Sequence, residues 1–539
     1  MPHDIQFVGT RFSHILRRFP CAQRILVVTD GSLGYGTNAF GLSEFIDIVR
    51  AAGHTVHTAH RSGGNGASIA GAFNFATAAT AVTVANYDQL WLFGFSTAAI
   101  SAAEQSRVAA FMRDGGGVFA TGDHETLGAG MGANLPRVRA MRNWATVPMV
   151  NPNRHDTVVD PGGDGIKQFN DQADAIAQRI YPVFFSNGGA QNDPATWSVH
   201  PVLQHPSGAV DALPDHAHES ECFAPRPGPG VFAGIDEWPT NSSGTRPAAV
   251  VVARSISAGR FITDTLKPPV DPRCFGAISA WDGDGTGHGR VVCDATWHHF
   301  VNINLNGAGG GVDANGTPRS GLYVAGAPTP EYEKIKRYYL NTVRWLAPRN
   351  RRFCLPWVIV ADIRFHPDVI EWQPPHPHPC PWDPLLDLGR IAERALVDDH
   401  GRGVLTQVVD AMLAAAGGDS ALAALLDTTR GASVDAGLLP VNDMRRVLLG
   451  ALVNRFAEAL PEDERKLEAV AKQHDAVTLE ATRLALADAE RAALEHLGKG
   501  LAAARAQLKA LEASPVAKAR AAKPRTAARA AKSPRRTSR

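Results

Sequence analysis

Cysteine is scarce in this chain of 539 residues: there are six, Cys21, Cys222, Cys274, Cys293, Cys354 and Cys380. No two form a CxxC pair, which argues against a disulfide framework and predicts reduced thiols that mostly serve packing. Long apolar runs are missing as well. The opening MPHDIQFVGTRFSHILRRF has no uninterrupted apolar core of the kind a signal peptide needs, and nowhere do about 18 consecutive apolar residues occur to span a bilayer. A soluble cytoplasmic protein without membrane contact is expected. Charge is sparse too. With 20% charged and 44% hydrophobic residues the chain is too apolar to be disordered, and its length exceeds one ordinary domain, so two or three folded units are expected.

The small net charge of +1 hides an uneven distribution. Residues 513–539 carry nine Lys or Arg and no Asp or Glu, and removing those nine from +1 leaves a body of −8. This tail also lacks aromatic residues for base stacking. It reads as a disordered basic end, either merely solubilising or in nonspecific contact with nucleic-acid phosphates, and such contact should weaken steeply with salt.

What is present is an alternation of strand-like and helical stretches. RILVVTD (Arg24 to Asp30) is a continuous apolar run, as in a strand buried on both faces. A helical pattern follows over Asn38 to Ala52, then strands HTVHTAHR (His54 to Arg61) and YDQLWLFGFS (Tyr87 to Ser96), a helix over Ser101 to Asp114, and the strand GGVFATGD (Gly116 to Asp123). The repetition predicts an α/β fold, a doubly wound parallel sheet. Between Met141 and Gly285 periodicity is poor, suggesting long insertions with late strands such as AAVVVARS (Ala248 to Ser255). The pattern resumes in GRVVCDATWHHF (Gly289 to Phe300) and in an amphipathic helix over Pro330 to Leu346. The organisation read from this is an N-terminal extension (1–23), an α/β domain (24–348), a Pro-rich linker (349–384), a helical region (385–512) and the basic tail (513–539). Pro461 opens a charged, alanine-rich helix that can run to Glu512, with Leu494, Leu501 and Leu508 at heptad spacing and Leu497 and Leu511 at companion positions. A packed helix hairpin and a self-associating coiled coil through 461–512 both fit.

Ligands of an open parallel sheet meet the loops at the carboxyl ends of its strands. Two such ends carry dense ionisable sets. Asp123-His124-Glu125 offers two carboxylates and an imidazole, enough for a general base or two ligands of a divalent metal such as zinc, although an acidic helix N-cap would look similar. Of His298 and His299, neighbours that point in different directions, one should face the crevice and the other pack or cap. Asp30, Gly94, Phe95, Gly122 and Trp297 lie at the same strand ends and are candidate substrate contacts. A third cluster, LPDHAHESEC (Leu213 to Cys222), places His216, His218, Glu219 and Glu221 in one loop, where they can ligate metal together with His124 or form a solvated acidic loop. HPHPC (His376 to Cys380) also offers ligands, but its prolines favour a spacer. Gly34 to Ala39 fits G-x-G-x-x-A, yet three residues separate it from the strand and no acidic residue ends the second strand, so a plain Gly-rich loop is the better reading.

In their order, ILVVTD, YDQLWLFGF, GGVFATGDHE, HPVL (His200 to Leu203), GRVVCDATWHH and KRYYLNTVRWL (Lys336 to Leu346) resemble the class I glutamine amidotransferase-like superfamily, most closely its trehalose-utilisation (ThuA-like) branch, over about Arg24 to Pro348. The resemblance implies a flavodoxin-like sheet in which the fourth-strand turn faces the last-strand loop. Glutamine-hydrolysing members carry a cysteine at the fourth-strand turn. Here Gly122, Asp123 and His124 stand there, so acyl transfer from glutamine is disfavoured. Cys293 falls inside an apolar strand, where desolvation works against a thiolate. The expectation is a hydrolase or lyase on a small polar, carbohydrate-like substrate. His124 or His299 would act as base or metal ligand, Asp123 and Glu125 would orient it, and amides near Gly94 and Gly122 would stabilise negative charge. The alternative is a non-catalytic module that binds a ligand or protein and assembles through its C-terminal helices.

Overall fold

The computed structural model describes residues 22–77, 81–123, 126–144, 158–160, 165–167, 177–186, 197–214, 220–257, 273–309, 320–354, 356–357, 363, 366, 368–369, 379–400, 403–415, 439–461 and 464–513. Its centre is an eight-stranded sheet. In chain order the strands are β1 (Arg24–Thr29), β2 (Thr55–His60), β3 (Gln89–Phe93), β4 (Gly117–Thr121), β5 (Tyr181–Pro182), β6 (Val250–Ser257), β7 (Arg273–Trp281) and β8 (Val291–Asp294). They lie in the order β2-β1-β3-β4-β8-β7-β6-β5. The first five run parallel, and β7, β6 and β5 are added by antiparallel pairing.

The α/β class therefore holds, but the sheet is mixed rather than parallel throughout. The difference comes from β7, which lies in the stretch without readable periodicity. Its centre is Gly276, a residue that weakens strand propensity and here lets the backbone of Cys222 approach, with the Cys222 amide donating to the Gly276 carbonyl at 2.8 Å. The apolar runs of β3 and β4 are buried along their whole length, as strands covered on both faces must be.

Helix α1 (Ser43–Ala51) is shorter than its sequence pattern. Residues 38–42 form a loop instead, because Asn302 holds them: its amide donates to the carbonyls of Gly36 and Asn38, and its Oδ1 accepts from the Glu44 amide at 3.0 Å. The exposed amides of the helix start are thus partly used by the protein itself, and a Cβ on Gly41 would sit 1.9 Å from the Gly36 carbonyl oxygen. Phe45 of α1 packs on Trp91 and Phe93 of β3, on Phe300, and on Tyr339 of α3 (Pro330–Leu346), with ring centroids 5.1 to 5.7 Å apart. Helix α2 (Ala102–Arg113) starts at a capping box formed by Ser101 and Glu104, and Glu104 also pairs with Arg61.

A second core contains Trp357, Cys380, Trp382 and the helices α4 (Trp382–His400), α5 (Val404–Ala415), α6 (Val441–Ala459), α7 (Glu464–Ala471) and α8 (His474–Ala513). Trp382-Asp383-Pro384, at the end of the Pro-rich stretch, form the first turn of α4. The single helix expected from Pro461 is broken at Lys472-Gln473, where there is neither Gly nor Pro. Leu467 and Ala471 are fully buried, so packing of α7 overrides local propensity. Arg352 forms an ion pair with Asp284, and the Gln407 amide donates to the Gln204 side chain, linking the two cores. Among the described residues no helix is long and apolar enough to cross a membrane. The basic tail lies outside the described residues apart from Ala513.

Candidate functional site

The carboxyl ends of β1, β3, β4 and β8 converge. After β1, Asp30 turns inward, and its Oδ1 accepts from the amides of Phe95 and, at 2.8 Å, Ser96. Burial raises the Asp30 carboxyl above its ordinary pKa, opposed by these two amides and by the charges of Arg61 and His60. After β3, Gly94 packs against Gly128, whose φ of +93° suits glycine, and a Cβ at Gly94 would lie 2.4 Å from the Gly128 Cα.

After β4, Asp123 is buried, with its amide donating to the Leu127 carbonyl at 3.0 Å. After β8, the chain makes a 3-10 turn over Trp297–His299 with Thr296 as its cap, and the Trp297 amide donates to the Gly122 carbonyl at 2.9 Å. This bond ties the two ionisable turns together. It places His298 Nε2 3.6 Å from Asp123 Oδ1, with side-chain exposures of 6% and 4%. The distance exceeds a hydrogen bond and falls within ion-pair range. The His298 ring stacks on Trp297 with centroids 4.2 Å apart, and Phe40, which is exposed, meets both rings edge-on.

His299 points the other way. Its Nδ1 lies 2.7 Å from Asp294 Oδ1, both side chains being fully buried, and the Tyr338 hydroxyl donates to Asp294 Oδ2 at 2.6 Å. Burial and the neighbouring Asp294 charge push the Tyr338 hydroxyl well above its ordinary pKa, so it stays a donor. The Tyr339 hydroxyl donates to the His299 carbonyl. His298 thus faces Asp123, and His299 packs against Asp294.

Arg142 organises the floor. This buried side chain donates from Nε to the Asp294 carbonyl at 3.1 Å, from Nη1 to the Asn143 carbonyl at 2.9 Å, and from Nη2 to the carbonyls of Asp123 and Ala295, each at 2.8 Å. Sequence reasoning missed it, since a single arginine in an aperiodic stretch has no signature. It also missed Tyr338, 44 residues beyond its partner Asp294.

One expectation changes. The Gly94 amide donates to the Thr121 carbonyl at 3.0 Å, and those of Phe95 and Ser96 serve Asp30, so the β3 turn offers no oxyanion hole as it stands. Among the described residues no group of three or more His, Cys, Asp or Glu is placed to hold a metal ion. His124, Glu125, His216, His218 and Glu219 lie outside the described residues. Glu221 is half-buried, and its carbonyl accepts from the Asn143 amide at 2.8 Å, which brings the end of the acidic loop beside Arg142.

Cys293 is buried in β8, where desolvation pushes its thiol far up, as expected of a packing residue. Cys222 and Cys380 are also buried, and Cys274 is exposed; none of these four is in a disulfide. A cleft of about 410 Å³ lies at the opposite, amino-terminal ends of the strands, lined by Arg24, Asp88, Gly115, His288, Arg349 and Arg351. Its Arg24 and Arg351 are paired with Asp88. Comparison with protein-family models, curated proteins and solved structures finds no match for this chain.

Proposed function

We propose that the crevice between the β4 and β8 turns is the active site of a hydrolase or lyase acting on a small polar substrate, with His298 as general base and Asp123 as the carboxylate that orients it. The observation that carries this reading is the His298–Asp123 pair itself, two ionisable groups on separate strands held 3.6 Å apart beside an exposed aromatic ring. The imidazole would take a proton from substrate or water while Asp123 stabilises the imidazolium. Because the β3 amides are committed, the reading favours proton transfer over acyl transfer. In this proposal the chain is a doubly wound, ThuA-like domain of the amidotransferase-like superfamily without the cysteine nucleophile, and a carbohydrate-like substrate follows from that resemblance alone. A divalent metal such as zinc would draw on His124 with His216, His218, Glu219 and Glu221.

The test is turnover of a panel of neutral sugars, lactones and esters by the purified chain, with elemental analysis for bound metal. His298→Ala and Asp123→Asn should each lower kcat on any substrate found by about 10²- to 10⁴-fold. Unchanged turnover in both variants rejects the assignment. One observation favours the non-catalytic alternative: both side chains are nearly closed off from solvent. That reading predicts a ligand that binds wild type, is lost on His298→Ala and is never turned over.

A further inference from the structure

The last turns of α8 leave the body of the protein. Ala489, Ala492 and Ala493 are buried in the helical core and Leu497 packs at its edge, whereas every residue from 501 to 510 is exposed. Leu494, Leu501 and Leu508 are 69%, 49% and 59% exposed. Their seven-residue spacing stacks them in one row along the helix, with Leu497, Ala504 and Leu511 at the companion heptad positions. The segment from Leu494 to Ala513 is about 30 Å long. A solvated helix of this length is marginal alone, and Gly498 and Gly500 each weaken it further, by about 1 kcal/mol.

We infer that Leu494, Leu501 and Leu508 form the seam of a two-stranded coiled coil with the same helix of a second copy of this chain. A heptad row is complementary to itself, which is the requirement for a homodimer. The flanking positions are Gly498, Gly500, Arg505, Gln507 and Glu512, so neither helix orientation sets like charges against each other, and the parallel one pairs Gln507 with Glu512. The chain's own remainder is a poor occupant. Residues 514–539 contain one large apolar residue, Val516, and their nine positive charges would meet Lys499, Arg505 and Lys509.

The test is the mass of the full chain by sedimentation equilibrium between about 1 and 100 μM, a range that brackets the affinity of a short three-heptad seam. Wild type should be a dimer at the upper end. Leu501→Glu/Leu508→Glu should raise the apparent Kd more than about 100-fold, because two buried leucines are worth several times the 1.4 kcal/mol of one tenfold step. Its Tm should match that of wild type diluted until the dimer dissociates, since both side chains are exposed in the single chain. Ala506→Glu, away from the seam, should leave the dimer intact and controls for a general effect of added charge. A monomeric wild type across the range overturns the inference, whether a different protein or another part of the chain covers the row. So does a double variant that still dimerises, or an Ala506→Glu variant that dissociates equally.

Discussion

Arg142→Met should destabilise the α/β unit by about 3–5 kcal/mol, the cost of breaking a buried charged network on one side. Two effects compete. Burying a guanidinium is expensive, and its pKa is lowered chiefly by that desolvation, so removing it recovers solvation energy. When both members of a buried ion pair are replaced by apolar groups, that recovery can win. Here the acceptors are main-chain carbonyls of Asp123, Asn143, Asp294 and Ala295, which no side-chain substitution removes. Methionine would leave the carbonyls of Asp123, Asp294 and Ala295 against a thioether, Asn143 keeping the Ser220 hydroxyl as a donor at 3.0 Å, and the guanidinium's place 4.3 Å from the Trp144 ring would lose its cation–π contact. The orphaned carbonyls decide the sign. Arg142→Lys should cost less, about 2 kcal/mol, because an ammonium cannot span the same fork of acceptors. Urea unfolding followed by near-UV circular dichroism measures both, and a loss below about 1 kcal/mol for Arg142→Met would refute the argument. The same clamp fixes the backbone at Asp123, so the methionine variant should also disturb the His298–Asp123 pair.

That clamp marks the limit of what the residues disclose in advance. The strands β1, β3 and β4 are legible because a strand covered on both faces must be apolar throughout. Helix α3 is legible to the residue, since Thr329 caps it, Pro330 suits its first turn and Pro348 follows its end. Asp123, His298 and His299 stand out because ionisable residues cluster at the ends of apolar runs. The strand β7 is hidden, with Gly276 and Ala277 at its centre in place of branched residues. The roles of Arg142 and of the β3 amides are hidden for a different reason. Their partners are backbone carbonyls and a carboxylate 65 residues away, and such pairings follow from the folded path of the chain rather than from any local pattern. Gly94 suggests an open turn, yet its amide and those of Phe95 and Ser96 are already bonded within the fold.

Stability should fall as pH drops below about 6.5, before most carboxylates titrate. Four histidines with lowered pKa values set this slope, His54 and His200 most strongly, and His205 and His288 are also lowered chiefly by burial. Burial, then the Arg344 charge, lowers His54 to about 4, with its Nδ1 accepting the Gln23 amide at 3.2 Å. Burial, then the Arg290 charge, lowers His200 to about 3, its ring meeting Trp345 at 4.8 Å. Both folded-state values lie below the unfolded one, so the unfolded chain binds the proton first. Their contribution is fully present above pH 6.5 and is lost as pH falls from there toward 4 and 3. The limiting slope is about 1.4 kcal/mol per pH unit for each ring, and since both retain some solvent contact about half of that is expected. Asp30 acts in the opposite sense, because its raised pKa makes the folded state bind a proton before the unfolded one, and its stabilisation is lost as pH rises through that value. Four such rings against one raised carboxyl leave the histidines in control between pH 6.5 and 4.5. Urea midpoints measured across this window should decline in wild type and decline less steeply in His54→Gln/His200→Asn, where His205 and His288 remain and asparagine retains the cap that His200 provides to the Val202 amide. Identical slopes in the two proteins would show that other groups carry the acid sensitivity.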